Sequence, residues 1–296
     1  LGNSVDVGPA DMLEYFLADA RTRVIGVYVE DVKEGRRFFD ALRDARTKKP
    51  VVLLLGGQTG QGRRAAESHT GSLATSMAIW RGLAQQTGAI LAETLDQFLD
   101  QLATFQLLEP RRGRPTRRCV LFGNGGGTSV LAADAFAREN LDVSPLPEPA
   151  VAALERLALP SGTSVVNPID APAFTLRQED GRIAERILDI VCASGEPDAV
   201  ITHLNLPVFV SSANQKADFL ANLTQAALRV QKRFPGRAHF ALVLRSDGSE
   251  VCEARKRAFR QEAVSLGMPV YDEMSNAAAG ISALARYERF LDTRGF

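Results

Sequence analysis

Apolar positions along this chain fall into two kinds of run. Short runs of aliphatic and β-branched residues, bounded by glycine or proline, read as buried strands. Between them lie longer stretches whose apolar residues recur at three- and four-residue spacing, as on one helix face. In the first half, Val24–Glu30 and Val51–Gly57 are predicted strands and Ala89–Leu91 a brief third. The helices predicted there are Lys33–Lys48, with an apolar face at Phe38, Phe39, Ala41 and Leu42, then Ser72–Gly88 and Thr94–Leu108. Gly88 suits a left-handed helix C-cap, and Thr94 with Gln97 has the spacing of a capping box. The second half repeats the pattern, with strands expected near Arg118–Gly123, Val143–Leu146, Ala199–Leu206, His239–Leu244 and Pro269–Tyr271. Its helices are expected near Ser129–Glu139, Pro149–Leu157, Arg182–Cys192, Asn214–Phe234, Ser249–Leu266 and Ser275–Leu291.

Alternating strands and helices imply an α/β protein with parallel sheets covered on both faces. The Pro- and Arg-rich stretch Glu109–Thr116 reads as a solvated linker. It gives a first domain over 1–108, a linker over 109–116 and a second domain over 117–296. Sheets of this kind hold ligands at the carboxyl ends of their strands, which directs attention to the loops there.

Composition narrows the function classes. Lys and Arg total 35, as do Asp and Glu, and the hydrophobic fraction is 45%. A balanced, average composition argues against a nucleic-acid or anionic membrane surface as the main partner. No apolar run has membrane-spanning length and no signal peptide is visible. Cys119, Cys192 and Cys252 lack metal spacing and read as reduced thiols of a cytoplasmic protein.

Two of the loops carry the candidate chemistry. Ser68-His69-Thr70-Gly71 places a histidine among small hydroxyl and glycine residues. An imidazole nitrogen can accept a phosphoryl group, and such neighbours leave room and supply donors; a solvated loop histidine is the plain alternative. The Gly57…Gly62 spacing upstream is not a P-loop, because Arg63 and Arg64 stand where that motif needs Lys and Ser/Thr. In the second half, Gly123-Asn124-Gly125-Gly126-Gly127-Thr128-Ser129 follows a strand and opens a helix. Free N–H groups at such a start make an anion site, although a simple strand–helix turn also fits. Asn167-Pro168-Ile169-Asp170 reads equally as a structural turn or a ligand loop. His203 and His239 fall within strands and read as structural.

These motifs, in this order, resemble the nucleoside-diphosphate-forming acyl-CoA synthetases, relatives of succinyl-CoA synthetase. The resemblance is carried by Gly2-Asn3-Ser4-Val5-Asp6, Val27-Tyr28-Val29-Glu30 with Gly35-Arg36-Arg37-Phe38, and Lys48-Lys49-Pro50 with Ser68-His69-Thr70-Gly71-Ser72-Leu73-Ala74. The Gly123–Gly127 and Asn167–Asp170 motifs complete it. Thr75-Ser76-Met77 and Leu55-Gly56-Gly57 depart from the family pattern.

The resemblance implies two flavodoxin-like, doubly wound domains of the succinyl-CoA-ligase type. It implies an acid–thiol ligase in which acyl-CoA, ADP and phosphate give acid, CoA and ATP through a phosphohistidine. His69 would carry the phosphoryl group and Glu30 would orient it. Asn124, Gly125, Gly126, Gly127, Thr128 and Ser129 would bind phosphate at a helix N-terminus facing the histidine. Ser68, Thr70, Gly71, Asn167 and Asp170 would support the loops. CoA and ATP or ADP with Mg2+ would bind mainly to a CoA-binding domain and an ATP-grasp domain or subunit outside this chain. The chain, starting at Leu1, is thus read as a core fragment lacking the first strand and helix of its first domain, inactive alone and part of an oligomer. The alternative is a regulatory module, sensing acyl-CoA or nucleotide, of a lysine acetyltransferase.

Overall fold

The computed structural model describes residues 4, 6–70, 76–210 and 219–293. It contains two compact units, Leu1–Pro115 with Ala283–Phe296, and Thr116–Ser282.

The first unit runs α1 (Pro9–Ala18), β1 (Ile25–Val29), α2 (Gly35–Ala45), β2 (Val51–Leu55), α3 (Gly60–Thr70), α4 (Met77–Thr87), β3 (Ile90–Ala92) and α5 (Leu95–Leu107). Its sheet is parallel in the order β1-β2-β3. Val52 and Leu53 of the central strand are fully buried, and Leu13, Phe38, Leu42 and Trp80 pack in the same core. The rings of Phe38 and Trp80 meet edge to face at 6.1 Å, an arrangement worth roughly 0.5–1.5 kcal/mol beyond area burial. Gly88 is left-handed, with φ 71°, and Thr94 Oγ1 accepts the Gln97 N–H at 3.2 Å, so both caps form as the sequence suggests.

The second unit runs β4 (Cys119–Gly123), α6 (Gly126–Arg138), α7 (Glu148–Glu155), β5 (Ile169–Asp170), α8 (Ala173–Leu176), a 3-10 turn (Gln178–Gly181), α9 (Arg182–Ser194), β6 (Ala199–Asn205), α10 (Pro207–Val210), α11 (Phe219–Arg233), β7 (His239–Arg245), α12 (Glu250–Ser265) and β8 (Val270–Tyr271). The last helix, α13 (Met274–Thr293), starts in this unit, and from Ala283 its residues cluster with the first. The sheet is parallel in the order β5-β4-β6-β7-β8. Every residue of β4 is buried, as expected of a strand covered on both faces. The chain is therefore an α/β protein with two parallel sheets.

Three expectations need correction. Val143–Leu146 is not a strand: Pro145 and Pro147 cannot donate to a ladder, and only an isolated bridge joins Arg118 to Asp142. The place beside β4 goes to β5, preceded by the cis Asn167–Pro168 peptide. The glycine-rich stretch after β2 is not wholly a turn. Thr59 Oγ1 accepts the Gly62 N–H at 3.1 Å, and the helix-favouring run Arg63-Arg64-Ala65-Ala66-Glu67 continues as α3. The following helix begins at Met77 with Ser76 as its N-cap, its hydroxyl accepting the Ala78 N–H at 3.3 Å. Residues 71–75, where it was expected to start, lie outside the described residues. Among the described residues no helix is long and apolar enough to cross a membrane.

Candidate functional site

In the first unit, parallel register brings the ends of β1 and β2 side by side. Val29 pairs with Leu55, and the Gly56 N–H donates to the Val29 carbonyl at 2.9 Å. Glu30 and Gly56 are thus the first residues beyond two neighbouring strands. A Cβ added at Gly56 would lie 2.7 Å from Glu30 Cγ and 3.1 Å from Tyr28 Oη, so the bare backbone makes room for that carboxylate. Tyr28 donates its phenolic hydrogen to Glu30 Oε1 at 2.9 Å. The carboxylate it bonds holds the Tyr28 phenol above its ordinary pKa, with burial adding to the effect. The second oxygen, Oε2, is buried and has no partner among the described residues. A buried carboxylate oxygen without a donor is costly, so this place calls for one.

The segment leading from β2 is fixed by side chains. Gly57 takes φ 73°. Gln58 Nε2 donates to the Leu55 carbonyl at 3.0 Å and the Glu93 carbonyl at 3.3 Å, tying the turn to the ends of β2 and β3. The backbone of His69 belongs to the last turn of α3, not to the flexible loop that the sequence suggests. Ser68 is exposed and its hydroxyl donates to the Arg64 carbonyl at 2.9 Å. The side chains of His69 and Thr70, and the whole of Gly71, lie outside the described residues.

In the second unit, register again gathers the motif residues. Gly123 ends β4, pairing with Asp170 of β5 on one side and His203 of β6 on the other. A Cβ at Gly123 would fall 2.1 Å from the His203 carbonyl oxygen and 2.4 Å from its Nδ1, so only glycine fits there. Asn124 is buried, and its Oδ1 accepts the Asn205 N–H at 3.0 Å. His203 Nε2 lies 3.1 Å from the Asn124 carbonyl. The Gly125 N–H donates to Asp170 Oδ1 at 2.8 Å. Gly125, at φ 113°, is the N-cap of α6, and its carbonyl accepts the Ser129 N–H at 3.0 Å. The N–H groups of Gly126, Gly127 and Thr128 occupy the first helical positions, which have no carbonyl of their own helix to reach. A Cβ at Gly127 would meet nothing within 4 Å, whereas one at Gly126 would lie 3.2 Å from Asp170 Oδ2, so the helix start is open at Gly127 and has a carboxylate beside Gly126.

Asn167 is buried and wholly engaged. Its Oδ1 accepts the Leu121 N–H at 2.9 Å, and its Nδ2 donates to the carbonyls of Cys119 at 2.8 Å and Ser144 at 3.0 Å. These bonds give it a structural place beside β4, while Asp170 directly touches the Gly125–Gly126 loop. Sequence reasoning gave Tyr28 and Gly56 no role of their own, read His203 as structural, and weighed Asn205, at a strand end, only as a weaker case of the Asn167 kind. Their importance arises from strand register, which no local motif encodes. Among the described residues no group of three His, Cys, Asp or Glu side chains gathers as metal ligands.

Residues 1–105 match the model of the succinyl-CoA ligase like flavodoxin domain. Over 97% of its length the chain is 29% identical to the alpha subunit of ADP-forming acetate–CoA ligase II from Pyrococcus furiosus, covering 58% of that protein. It is 28% identical to ADP-forming acetate–CoA ligase I from Archaeoglobus fulgidus over 98% of the chain and 38% of the relative. Among solved structures, the dinucleotide-forming acetyl-coenzyme A synthetase 1 of Ca. Korarchaeum cryptofilum, in complex with phosphate and ADP, superposes with a TM-score of 0.75 and 25% identity. The match covers 97% of this chain and 58% of that one. The chain thus spans little more than half the length of these relatives, or less. All three are acyl-CoA ligases or synthetases, and the acetyltransferase alternative gains no support from them.

Proposed function

We propose that this chain, whose residues 1–105 belong to the succinyl-CoA ligase like flavodoxin family and which is homologous over its length to ADP-forming acyl-CoA synthetases, supplies the phosphoryl-carrying core of an acid–thiol ligase. Phosphate attacks the acyl-CoA carbonyl, the C–S bond breaks, and CoA thiolate leaves an acyl phosphate. A ring nitrogen of His69 then attacks phosphorus as the bond to the acyl oxygen breaks, releasing the carboxylate and leaving a phosphohistidine. Transfer of that phosphoryl group to a terminal oxygen of ADP gives ATP and restores the imidazole. One difficult transfer becomes two easier ones.

The observation that best supports this reading is that Oε2 of Glu30, at the carboxyl end of β1, is buried without a partner among the described residues. A carboxylate accepting the second ring N–H of His69 would fix its tautomer and favour the charged ring that forms on phosphorylation. Ser68, Thr70 and Gly71 would shape the surroundings of the histidine. In the second unit, the open N–H groups from Gly126 to Thr128 would take a phosphate anion, with Asn124, Gly125 and Ser129 shaping the loop. Preorganised donors of this kind provide much of the rate effect in phosphoryl transfer.

Among the described residues no group of side chains offers a cage for Mg2+. CoA and nucleotide are proposed to bind mainly to an ATP-grasp domain or subunit and a CoA-binding domain, as suits a relative that is itself named an alpha subunit. The test is phosphate-dependent conversion of acyl-CoA and ADP to ATP by the chain together with those domains, compared with the same assembly carrying His69→Asn. Loss of turnover in the variant is expected, and undiminished turnover would contradict the assignment.

A further inference from the structure

The peptide group joining Asn124 to Gly125 is held at both ends. Its carbonyl lies 3.1 Å from His203 Nε2, and its N–H donates to Asp170 Oδ1 at 2.8 Å. A carbonyl oxygen only accepts, so His203 must carry its hydrogen on Nε2. His203 is 1% exposed and its Nδ1 has no partner among the described residues. A second ring hydrogen would put a charge in a buried place where the cost of desolvation outweighs the nearby Asp170 carboxylate, so the ring is the neutral Nε2–H tautomer.

The clamp acts on a joint that would otherwise turn. Gly125 lacks a Cβ and has φ 113°, so little in its own chemistry resists rotation of the preceding peptide. Reversing that peptide would place the Asn124 carbonyl against the Asp170 carboxylate, and its N–H against the Nε2–H of His203. Both contacts would be repulsive. The Asn124 side chain, bonded to the Asn205 N–H at 3.0 Å, anchors the residue while the peptide plane is set. Directly downstream lie the open N–H groups of Gly126, Gly127 and Thr128.

We infer that His203 is a positioning residue for the anion loop: its Nε2–H, with the Asp170 carboxylate, fixes the Asn124–Gly125 peptide and so the backbone direction in which α6 starts, on which the aim of the Gly126–Thr128 N–H groups depends. This rests on the proposed reading of that loop as a phosphate site, and it assigns the orientation to a residue that touches no substrate.

Three measurements test it. In 15N spectra of the unmodified chain, the His203 ring should show Nε2 protonated and Nδ1 bare; a protonated Nδ1 with a bare Nε2 overturns the inference. Binding of inorganic phosphate, followed by 31P line broadening, should be about three- to tenfold weaker in His203→Leu, the range spanned by one hydrogen bond. His203→Gln, which keeps a donor, should recover part of that loss. Equal affinity in all three proteins, or equal loss in both variants, overturns it. Should the unmodified chain bind no phosphate, the proposed phosphate site falls, and hydrogen exchange of the Gly125–Thr128 amides decides the clamp. Faster exchange in His203→Leu than in His203→Gln supports it, and identical exchange overturns it.

Discussion

Gly56 and Glu30 share a space that only a glycine leaves open: a Cβ on the first would lie 2.7 Å from Cγ of the second. The obstructed atom is Cγ, near the root of the side chain, so Gly56→Ala should be accommodated by turning the whole Glu30 side chain, which displaces its carboxylate and the Tyr28 hydroxyl bonded to it. The variant should therefore fold, with a stability change near 1 kcal/mol or less. Phosphorylation of His69 in the assembled enzyme should slow by about 10²-fold, the cost of displacing a positioned group by roughly 1 Å. Thermal melting and rapid-quench phosphorylation separate the two effects, and a normal rate would detach Glu30 from the site.

Glu30→Ala removes the carboxylate itself and should slow phosphorylation by roughly 10²–10⁴-fold, the range of positioned acid–base groups. Tyr28→Phe keeps the carboxylate and loses only the 2.9 Å bond that orients it, so a smaller loss, within about tenfold, is expected. Rate constants for the two variants in that order support the arrangement; a larger effect from Tyr28→Phe than from Glu30→Ala contradicts it.

Asn167 makes three hydrogen bonds to backbone groups of Leu121, Cys119 and Ser144 from a buried position. Asn167→Ala strands those groups and should cost about 2–4 kcal/mol. Urea titration of the chain measures the loss directly, and a variant as stable as the parent would show that the bonds contribute nothing.

Burial holds the His203 imidazole below its ordinary value; the Asp170 carboxylate opposes that shift and Arg245 adds to it. The unfolded chain takes up this proton near pH 6.5 and the folded chain only at lower pH. Between those two points the unfolded state binds more protons, so the contribution of His203 to stability is intact above pH 6.5 and is lost as pH falls through the folded value. The loss is at most about 1.4 kcal/mol per pH unit from this one group. Denaturant midpoints taken from pH 7.5 down to 5.0 should therefore fall more steeply for the parent than for His203→Gln. Parallel slopes would show that the ring titrates normally.

Much of this fold is legible in the residues. The buried runs at Val51–Leu55, Ala199–Asn205 and His239–Arg245 announce strands, and Thr94 and Gly88 announce helix ends, because those signals are local. Val143–Leu146 misleads because an apolar pattern outweighs Pro145 and the flanking Pro147 on paper but not in a hydrogen-bonded ladder. The stretch before His69 misleads in the other direction: Gly60 and Gly62 suggest a turn, yet they occupy the first helical turn, where Thr59 caps them. The motif residues Gly123, Asn124 and Asp170 stand out as a sequence, but their meeting with His203 depends on the register of three strands distant in the chain. No spacing rule encodes that.

The central claim is that His69 carries the phosphoryl group, and labelling measures it most directly. The chain, assembled with its nucleotide-binding domain or subunit, is incubated with γ-labelled ATP and magnesium, then exposed to acid and to base. A label that is stable in base, lost in acid and absent from His69→Asn is the predicted result. A His69→Asn protein labelled as strongly as the parent would contradict the account.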